Sequence, residues 1–348
     1  MQEKGSSQTR TSRRIHIRPI LGSARELDVE ILRLMVLYPH DDAILRALGI
    51  AREDVAAHRC ASLPEPGGLL LAADDGRRLQ GLLSIEPVLD QSAVLGLHVW
   101  RLGLLIAAPD APRDTLDAML GHALGATRAP IDFVYARVPG SDRRVIEGLQ
   151  RSDFRLISGE TVAVLADPHR TGIEDADMDI ASLDADRLED ALGIVCGCKP
   201  CNPYLLDASM DADRVCRLSH FQLRRTLAGD QRQALIALAR DGRVSGVAAF
   251  GLDPELQSIT GRRIATIDKL CTEAGSGQRR VETSLGRQAL QALSERGAEG
   301  VVMRIQMNGP PSATRLEAAR QMGFQIAGSN LFMSRWVNGQ PHRRDRAA

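Results

Sequence analysis

Three thiols lie within six residues in the second half of the chain, at Cys196, Cys198 and Cys201. Cys216 and His220 follow on a stretch with helical spacing, and soft ligands of this kind can hold zinc. The C-x-C-x-x-C spacing lacks a matching second pair, however, and cysteines are commonly buried as small apolar residues. We therefore expect reduced thiols and no bound metal, with zinc, substrate contact and redox sensitivity as the alternatives.

A carboxylate stands inside an otherwise apolar stretch, where Asp268 interrupts the predicted strand 264–270. A carboxylate in such a place can have a raised pKa and act as a general base, although an ion pair with an arginine explains it equally well. Cys271 follows on the same strand and is either a packing residue or part of a site.

Tyr204 and Asp207 form a second polar pair, suited to holding an amine or a sugar hydroxyl. A carboxylate pairs with an ammonium group, and a phenol adds a directional hydrogen bond. The alternative is a structural role at the start of a helix, where Asp207 would cap backbone N–H groups.

The elements that must position these residues occur twice. Strand-like runs meet at a tight Asp-Gly turn in 69–85, and the same arrangement returns in 235–250, about 165 positions downstream. A short helix leading into a strand occurs at 145–156 and again at 315–326. We therefore predict a duplicated α/β chain, with domains at 15–166 and 178–337, a linker at 167–177 and disordered tails at 1–14 and 338–348.

Composition narrows the classes of partner. The 44 basic and 44 acidic side chains cancel, so the field that attracts nucleic acids or anionic membranes is missing, and aromatic residues are few. The apolar runs are too short to span a membrane, and the polar start does not resemble a signal peptide. Only three lysines occur (Lys4, Lys199 and Lys269), which argues against covalent lysine chemistry. We expect a soluble, cytoplasmic protein with neither nucleic acid nor membrane as partner.

The order of elements, together with the closing run Met322-Gly323-Phe324-Gln325-Ile326, resembles the GNAT superfamily of CoA-dependent N-acyltransferases. Residues 264–285 resemble the family's fourth strand, pyrophosphate loop and third helix. Residues 202–207 resemble the acceptor segment of the dTDP-fucosamine acetyltransferase subgroup. The resemblance implies two tandem GNAT-like domains, each a mixed, mostly antiparallel sheet flanked by helices, with a degenerate first domain.

The same resemblance implies a donor site in the second copy. The family's loop pattern Arg/Gln-x-x-Gly-x-Gly/Ala falls on 277–282, where Arg280 and Glu282 replace both conserved glycines. Arg279 and Arg280 can supply positive charge, whereas Glu282 is expected to repel a phosphate. An ordinary Gly-rich turn is the alternative. The expected contacts for acetyl-CoA are Leu270, Cys271, Thr272, Gly277, Gln278, Arg279, Arg280, Val281, Glu282, Thr283 and Asn308.

The implied activity is transfer of an acyl group, acetyl from acetyl-CoA, to a primary amine of an amino sugar or small metabolite. The amine attacks directly in a ternary complex, Asp268 or a water held by Glu273 takes its proton, and Tyr204 and Asp207 bind the acceptor. Ala319 stands where many members carry a tyrosine acid, but a thiolate can leave without one. A degenerate scaffold protein and a mycothiol-synthase-like enzyme are the alternatives.

Overall fold

The computed structural model describes residues 15–337 except 21–27, 39, 41, 63–66, 128, 171–177, 199–202, 229–230, 274, 276 and 309–310. The predicted tails and most of the predicted linker lie outside the described residues. Within the described part of the chain, no helix combines the length and the apolar character needed to cross a bilayer.

The two copies have their strands and helices in closely matching order. The first copy consists of β1 (His16–Pro19), α1 (Asp28–Val36), α2 (Asp42–Leu48), α3 (Arg52–Ser62), β2 (Leu69–Asp74), β3 (Leu79–Pro87), α4 (Leu89–Leu95), β4 (Val99–Ala107), α5 (Thr115–Ala126), β5 (Phe133–Pro139), α6 (Arg143–Arg151) and β6 (Arg155–Leu165). The second consists of β7 (Asp179–Ser182), α7 (Leu188–Gly197), a 3₁₀ helix (Pro203–Leu206), α8 (Ala212–Ala228), β8 (Arg232–Leu238), β9 (Val244–Leu252), α9 (Pro254–Thr260), β10 (Ile264–Thr272), α10 (Gln278–Glu295), β11 (Gly300–Gln306), α11 (Pro311–Gln321) and β12 (Gln325–Trp336).

Both predicted hairpins are present, and both turn on a glycine. Gly76 and Gly242 have φ values of 79° and 80°, in the left-handed region that glycine adopts without strain. The aspartate before each glycine closes the turn: Asp75 accepts from the backbone of Arg77, and Asp241 accepts from that of Arg243. The repeated Asp-Gly pair therefore forms the same type of turn in both copies.

All twelve strands form one continuous sheet, in the order β1-β2-β3-β4-β5-β12-β6-β11-β10-β9-β8-β7. The predicted fold class is confirmed, but the two sheets are joined because the copies exchange their last strands. Strand β12 pairs with β5 of the first copy, and β6 pairs with β11 of the second. The two exchanged strands also pair with each other, which leaves no open edge at the centre.

Each copy contains one parallel pair of strands, and each pair diverges. In the second copy, pairing joins Ile264–Ile267 to Gly300–Met303 and then stops, although β10 continues to Thr272 and β11 to Gln306. A register shift in β10 between Ile267 and Lys269 accompanies the divergence. In the first copy, β4 and β5 pair only over Val99–Leu102 and Phe133–Ala136. The divergence opens a cleft in each half of the sheet.

Helix α10 packs on the second half of the sheet and supports the strands that form the cleft. Leu285, Ala289 and Leu293 are fully buried in one apolar cluster with Phe250. Each fully buried leucine contributes about 1.5–3 kcal/mol relative to an exposed one. At Gly286, a Cβ atom would collide with the thioether of Met322, the residue that follows α11, so this glycine lets the two helices approach closely.

Candidate active site

A cavity of about 310 Å³ lies at the mouth of the cleft between β10 and β11. Both copies build its wall because the exchange places β6 next to β11 and β12 next to β5. The polar and aromatic side chains that line it are Gln91, Tyr135, Arg137, Glu160, Tyr204, Gln222, Asp268, Lys269, Arg304, Gln306, Arg315 and Phe332.

Tyr204, which the sequence predicts to bind the acceptor, forms one side of this cavity. Its hydroxyl donates to Gln91 Oε1 at 2.6 Å, which joins the 3₁₀ helix of the second copy to α4 of the first. Its ring meets Tyr135 edge-on with centroids 5.8 Å apart. Burial raises the pKa of Tyr204 well above its ordinary value, so the phenol remains a proton donor.

A polar cluster that the sequence analysis missed lies at the centre of the sheet. Glu160 on β6 is buried and accepts from Gln306 Nε2 at 3.0 Å and from Asn330 Nδ2 at 3.1 Å. Two guanidinium groups approach the same carboxylate, from Arg137 at 3.4 Å and from Arg304 at 3.8 Å. The two arginines hold the fifth position of β5 and of β11, a repeat visible only once the copies are aligned strand by strand.

The cavity carries more positive than negative charge. Two of its ionic groups form ion pairs with partners outside the central cluster: Arg315 pairs with Glu282, and Asp268 pairs with Arg232. The rest are Arg137, Arg304 and Lys269 against the single carboxylate of Glu160. Burial lowers the pKa of Lys269, and burial together with the neighbouring Arg137 lowers that of Arg304. The excess of positive charge therefore favours the binding of an anionic group in this cavity.

Asp268 lines the cavity and is ion-paired at the same time. Arg232 reaches it from β8 by crossing over β9 at Gly251, where an added Cβ atom would strike the backbone and side chain of Arg232. The carboxylate is still 28% exposed, so it remains accessible from the cavity. Both interpretations of Asp268 are compatible with this position.

The start of α10 lies where the sequence predicts the donor loop. Gly277 is the N-cap residue, and no side chain among the described residues caps the first turn. Gln278, Arg279 and Arg280 form that turn, and both arginines are exposed. The backbone N–H of Gln278 donates to the carbonyl of Gly275 at 3.3 Å. The two exposed arginines lie at the positive end of an eighteen-residue helix, an arrangement that attracts phosphate.

Glu282 and Thr283 are directed away from the donor surface, contrary to expectation. Glu282 is fully buried and its Oε1 accepts from Arg315 Nε at 3.1 Å, from Gln278 Nε2 at 3.0 Å and from Thr272 Oγ1 at 3.3 Å. Burial raises the pKa of Glu282, and these three donors partly offset the rise. The carboxylate is paired inside the protein, so it does not repel a phosphate at the loop.

Two buried polar atoms lie at the other side of the cleft. Among the described residues, no hydrogen-bond partner faces Asn308 Nδ2 or Ser312 Oγ, although both atoms are buried. The backbone of Leu270, Cys271 and Thr272 pairs with β9 on one edge, while β11 has moved away from the other. Ala319 is buried in the core and supplies no hydroxyl.

Two predicted site residues lie outside the cavity. Asp207 accepts from Trp336 Nε1 at 3.1 Å and from the backbone of Ser209 at 2.9 Å. It does not cap α8 as the structural alternative proposed, because Asp211 accepts from the backbone of Arg214 at the start of that helix. Glu273 pairs with Arg243 at the rim of an open groove beside α7. Neither carboxylate lines the cavity that holds Tyr204 and Asp268.

The corresponding loop of the first copy is filled by a side chain. Arg144 on α6 donates to the carbonyl oxygens of Ala108 at 2.5 Å and Pro112 at 2.9 Å, and also to Ala111. The loop between β4 and α5 therefore turns carbonyl groups toward a guanidinium group.

The cysteines differ from the expectation of reduced thiols. Cys196 at the end of α7 and Cys216 on α8 form a disulfide, with Cα atoms 5.4 Å apart. The pairing spans 20 residues, so the local C-x-C-x-x-C spacing did not reveal it. Cys198 accepts from Arg315 NH2 at 3.0 Å, and Cys271 is a buried free thiol.

Solved structures share this architecture. A tandem GNAT protein from the clavulanic acid biosynthesis pathway, determined without AcCoA, superposes with a TM-score of 0.51 at 16% identity, covering 94% of this chain and 99% of that one. A GCN5-related N-acetyltransferase from Sphaerobacter thermophilus gives 0.55 at 11% identity, with 92% and 95% covered. The GCN5-related glucosamine N-acetyltransferase region of a fungal multi-domain GH3 β-N-acetylglucosaminidase gives 0.57 at 11% identity, with 92% and 38% covered.

No protein-family model matches this sequence, and no curated protein is significantly similar to it. The likeness is therefore one of fold: the chain has the tandem fold of GCN5-related N-acetyltransferases, as the residues of the second copy suggested. The dTDP-fucosamine subgroup remains a prediction.

Proposed function

We propose that the chain is a CoA-dependent N-acyltransferase whose second copy transfers acetyl from acetyl-CoA to a primary amine. The observation that carries this proposal is the cleft between β10 and β11, which connects the uncapped start of α10 to the cavity at Tyr204. The first copy completes the cavity wall and does not bind a second donor, because Arg144 fills its loop.

The donor fits residues of the second copy. The backbone of Leu270, Cys271 and Thr272 holds the pantetheine arm, and the first turn of α10 with Arg279 and Arg280 holds the pyrophosphate. Asn308 Nδ2 supplies a buried donor that has no partner among the described residues. When bound, acetyl-CoA supplies a thioester that an amine can attack.

The chain's own part in the chemistry is to orient the amine and remove its proton. Asp268 is one proton acceptor, in competition with its ion pair to Arg232. Lys269 is another, because burial lowers its pKa and so favours the neutral amine, which can accept a proton. Ala319 offers no proton to the leaving thiol, so we expect a slower chemical step than with a tyrosine at this position.

The acceptor is a small amine that also carries an acidic group. Arg137 and Arg304 outnumber Glu160 at the inner end of the cavity, and about 310 Å³ accommodates a compact molecule. Tyr204 and Gln222 provide further polar contacts on the wall. We expect amino acids and phosphorylated amino sugars to be preferred over matched amines that lack the acid.

A transfer assay with labelled acetyl-CoA tests the activity. Pairs of amines with and without a carboxylate or phosphate are the acceptors, and Asp268→Asn and Lys269→Met are the variants. If only one of the two variants loses the acid limb of the pH–rate profile, the residue changed in that variant is the proton acceptor. Asp117→Asn, which breaks a surface ion pair with Arg151, is the control. If acetyl-CoA binds but its acetyl group is transferred to no amine, the chain is a degenerate scaffold protein. The absence of a proton-donating side chain at Ala319 is consistent with that alternative.

A further inference from the structure

The cysteine cluster holds a third ligand-bearing side chain. Cys216 and His220 lie four residues apart on one face of α8, and Cys196 approaches them from the end of α7. The three ligand atoms, two Sγ and one imidazole nitrogen, all lie within 4.8 Å of one another. Cys216 Sγ and His220 Nε2 are 4.0 Å apart. All three residues are half-buried, so the cluster is reachable from solvent.

Thiolates and imidazole are the ligands that zinc prefers. Zinc lies at about 2.3 Å from sulfur and about 2.0–2.1 Å from nitrogen, so the ligand atoms of a tetrahedral site stand about 3.5–4 Å apart. The separation of Cys216 and His220 is close to that value, and the i, i+4 spacing on one helix is a frequent arrangement for two ligands of one ion. A disulfide uses only two of the three groups.

We propose that, in the reduced chain, Cys196, Cys216 and His220 bind one zinc-class ion, and that disulfide and metal complex are alternative states of one cluster. A dithiol reductant passes two electrons and two protons to the disulfide, which yields two thiols and the oxidised reductant. The metal then displaces both thiol protons to solvent, and a water molecule fills the fourth position.

The cluster joins two helices, α7 and α8, whose connection contributes to the cavity wall. The connection between α7 and α8 carries Tyr204, whose hydroxyl bonds to Gln91 of the first copy. Either state of the cluster ties the two helices together at one end of this connection. The inference does not depend on acyl transfer, because metal binding is measured without either substrate.

The test is a titration of the full chain, fully reduced with a phosphine and desalted without oxygen, with Co²⁺ and then Zn²⁺. We expect one equivalent of Co²⁺ with a thiolate-to-metal charge-transfer band, displaced by Zn²⁺. Cys196→Ser and Cys216→Ser should each lose the band, and His220→Ala should bind at least tenfold more weakly. Cys60→Ser and Cys271→Ser each remove a thiol that lies outside the cluster and is already reduced in the structure, and they should leave binding unchanged.

Circular dichroism of each variant separates loss of ligand from loss of fold, and His220→Ala keeps the test meaningful if a cysteine variant fails to fold. The proposal is overturned if the reduced wild-type chain binds no Co²⁺, or if Cys216→Ser or His220→Ala binds it as tightly as wild type. Oxidised protein should bind none, and stoichiometric binding by the disulfide form would also contradict it.

Discussion

Arg315 on α11 donates to the carboxylate of Glu282 on α10 at 3.1 Å, beneath the helix start proposed to bind the donor. The two side chains are 6% and 0% exposed, so water does not screen the pair. The residue that replaces a conserved loop glycine therefore has a partner inside the protein. The pair connects the donor end of the cleft to α11, and Arg315 itself also lines the acceptor cavity.

Removing one member of this pair should be costly. Arg315→Met leaves Glu282 buried without its cation, and we expect the free energy of unfolding to fall by about 3–5 kcal/mol. The double variant Arg315→Met/Glu282→Gln should recover much of that loss. Urea unfolding at pH 7 measures both variants, and equal stability of the single and double variants would contradict a coupled pair.

The same pair gives a pH dependence with a defined sign. Because burial raises the pKa of Glu282, the folded chain holds this proton more tightly than the unfolded chain. Between the ordinary value of 4.5 and the raised folded value, the free energy of unfolding should decrease as pH rises. Glu282→Gln should remove that component, as urea unfolding at several pH values will show. An unchanged slope in the variant would assign the dependence to other groups.

Tyr204→Phe tests the shared wall of the cavity. It removes the 2.6 Å bond to Gln91 and should cost about 1–2 kcal/mol of stability while raising KM for the acceptor. Tyr38→Phe is the matched control, because Tyr38 donates to Asp142 at 2.7 Å and does not line the cavity that holds Tyr204. It should lower stability by a similar amount and leave KM unchanged. An equal effect on KM in both variants would place the acceptor elsewhere.

Glu160→Gln tests the anionic acceptor. The change removes a carboxylate that competes for Arg137 and Arg304, so inorganic phosphate should bind about tenfold more tightly. Phosphate binding is measured by calorimetry in a chain that also carries Arg279→Ala and Arg280→Ala, because these two changes prevent phosphate from binding at the start of α10. Glu147→Gln, which breaks a surface pair with Arg143, is the control and should have no effect. Weaker or unchanged binding by Glu160→Gln would contradict an anion site at the cluster.

Local patterns predicted local structure well. The two Asp-Gly turns, the strand containing Asp268 and the helix beginning near Gln278 are all visible in sequence because their signals lie within a few residues. The exchange of β6 and β12 is not visible in the sequence, because both strands have an apolar pattern that suits a position beside β5 and equally a position beside β11. Pairs that join distant positions were missed for the same reason: Glu160 with Asn330, Glu282 with Arg315, and Cys196 with Cys216.

The most direct test of the central proposal is calorimetric titration of acetyl-CoA into the full chain, comparing wild type with Arg279→Ala/Arg280→Ala. Each guanidinium contact with pyrophosphate contributes about 1.5–3 kcal/mol, so the double variant should bind at least about 100-fold more weakly. Arg77→Ala/Arg143→Ala removes the same charge from two exposed sites of the first copy and serves as the control. We predict one acetyl-CoA per chain, with affinity lost in the loop variant and kept in the control; no binding at millimolar acetyl-CoA, or equal binding by all three proteins, would contradict the account.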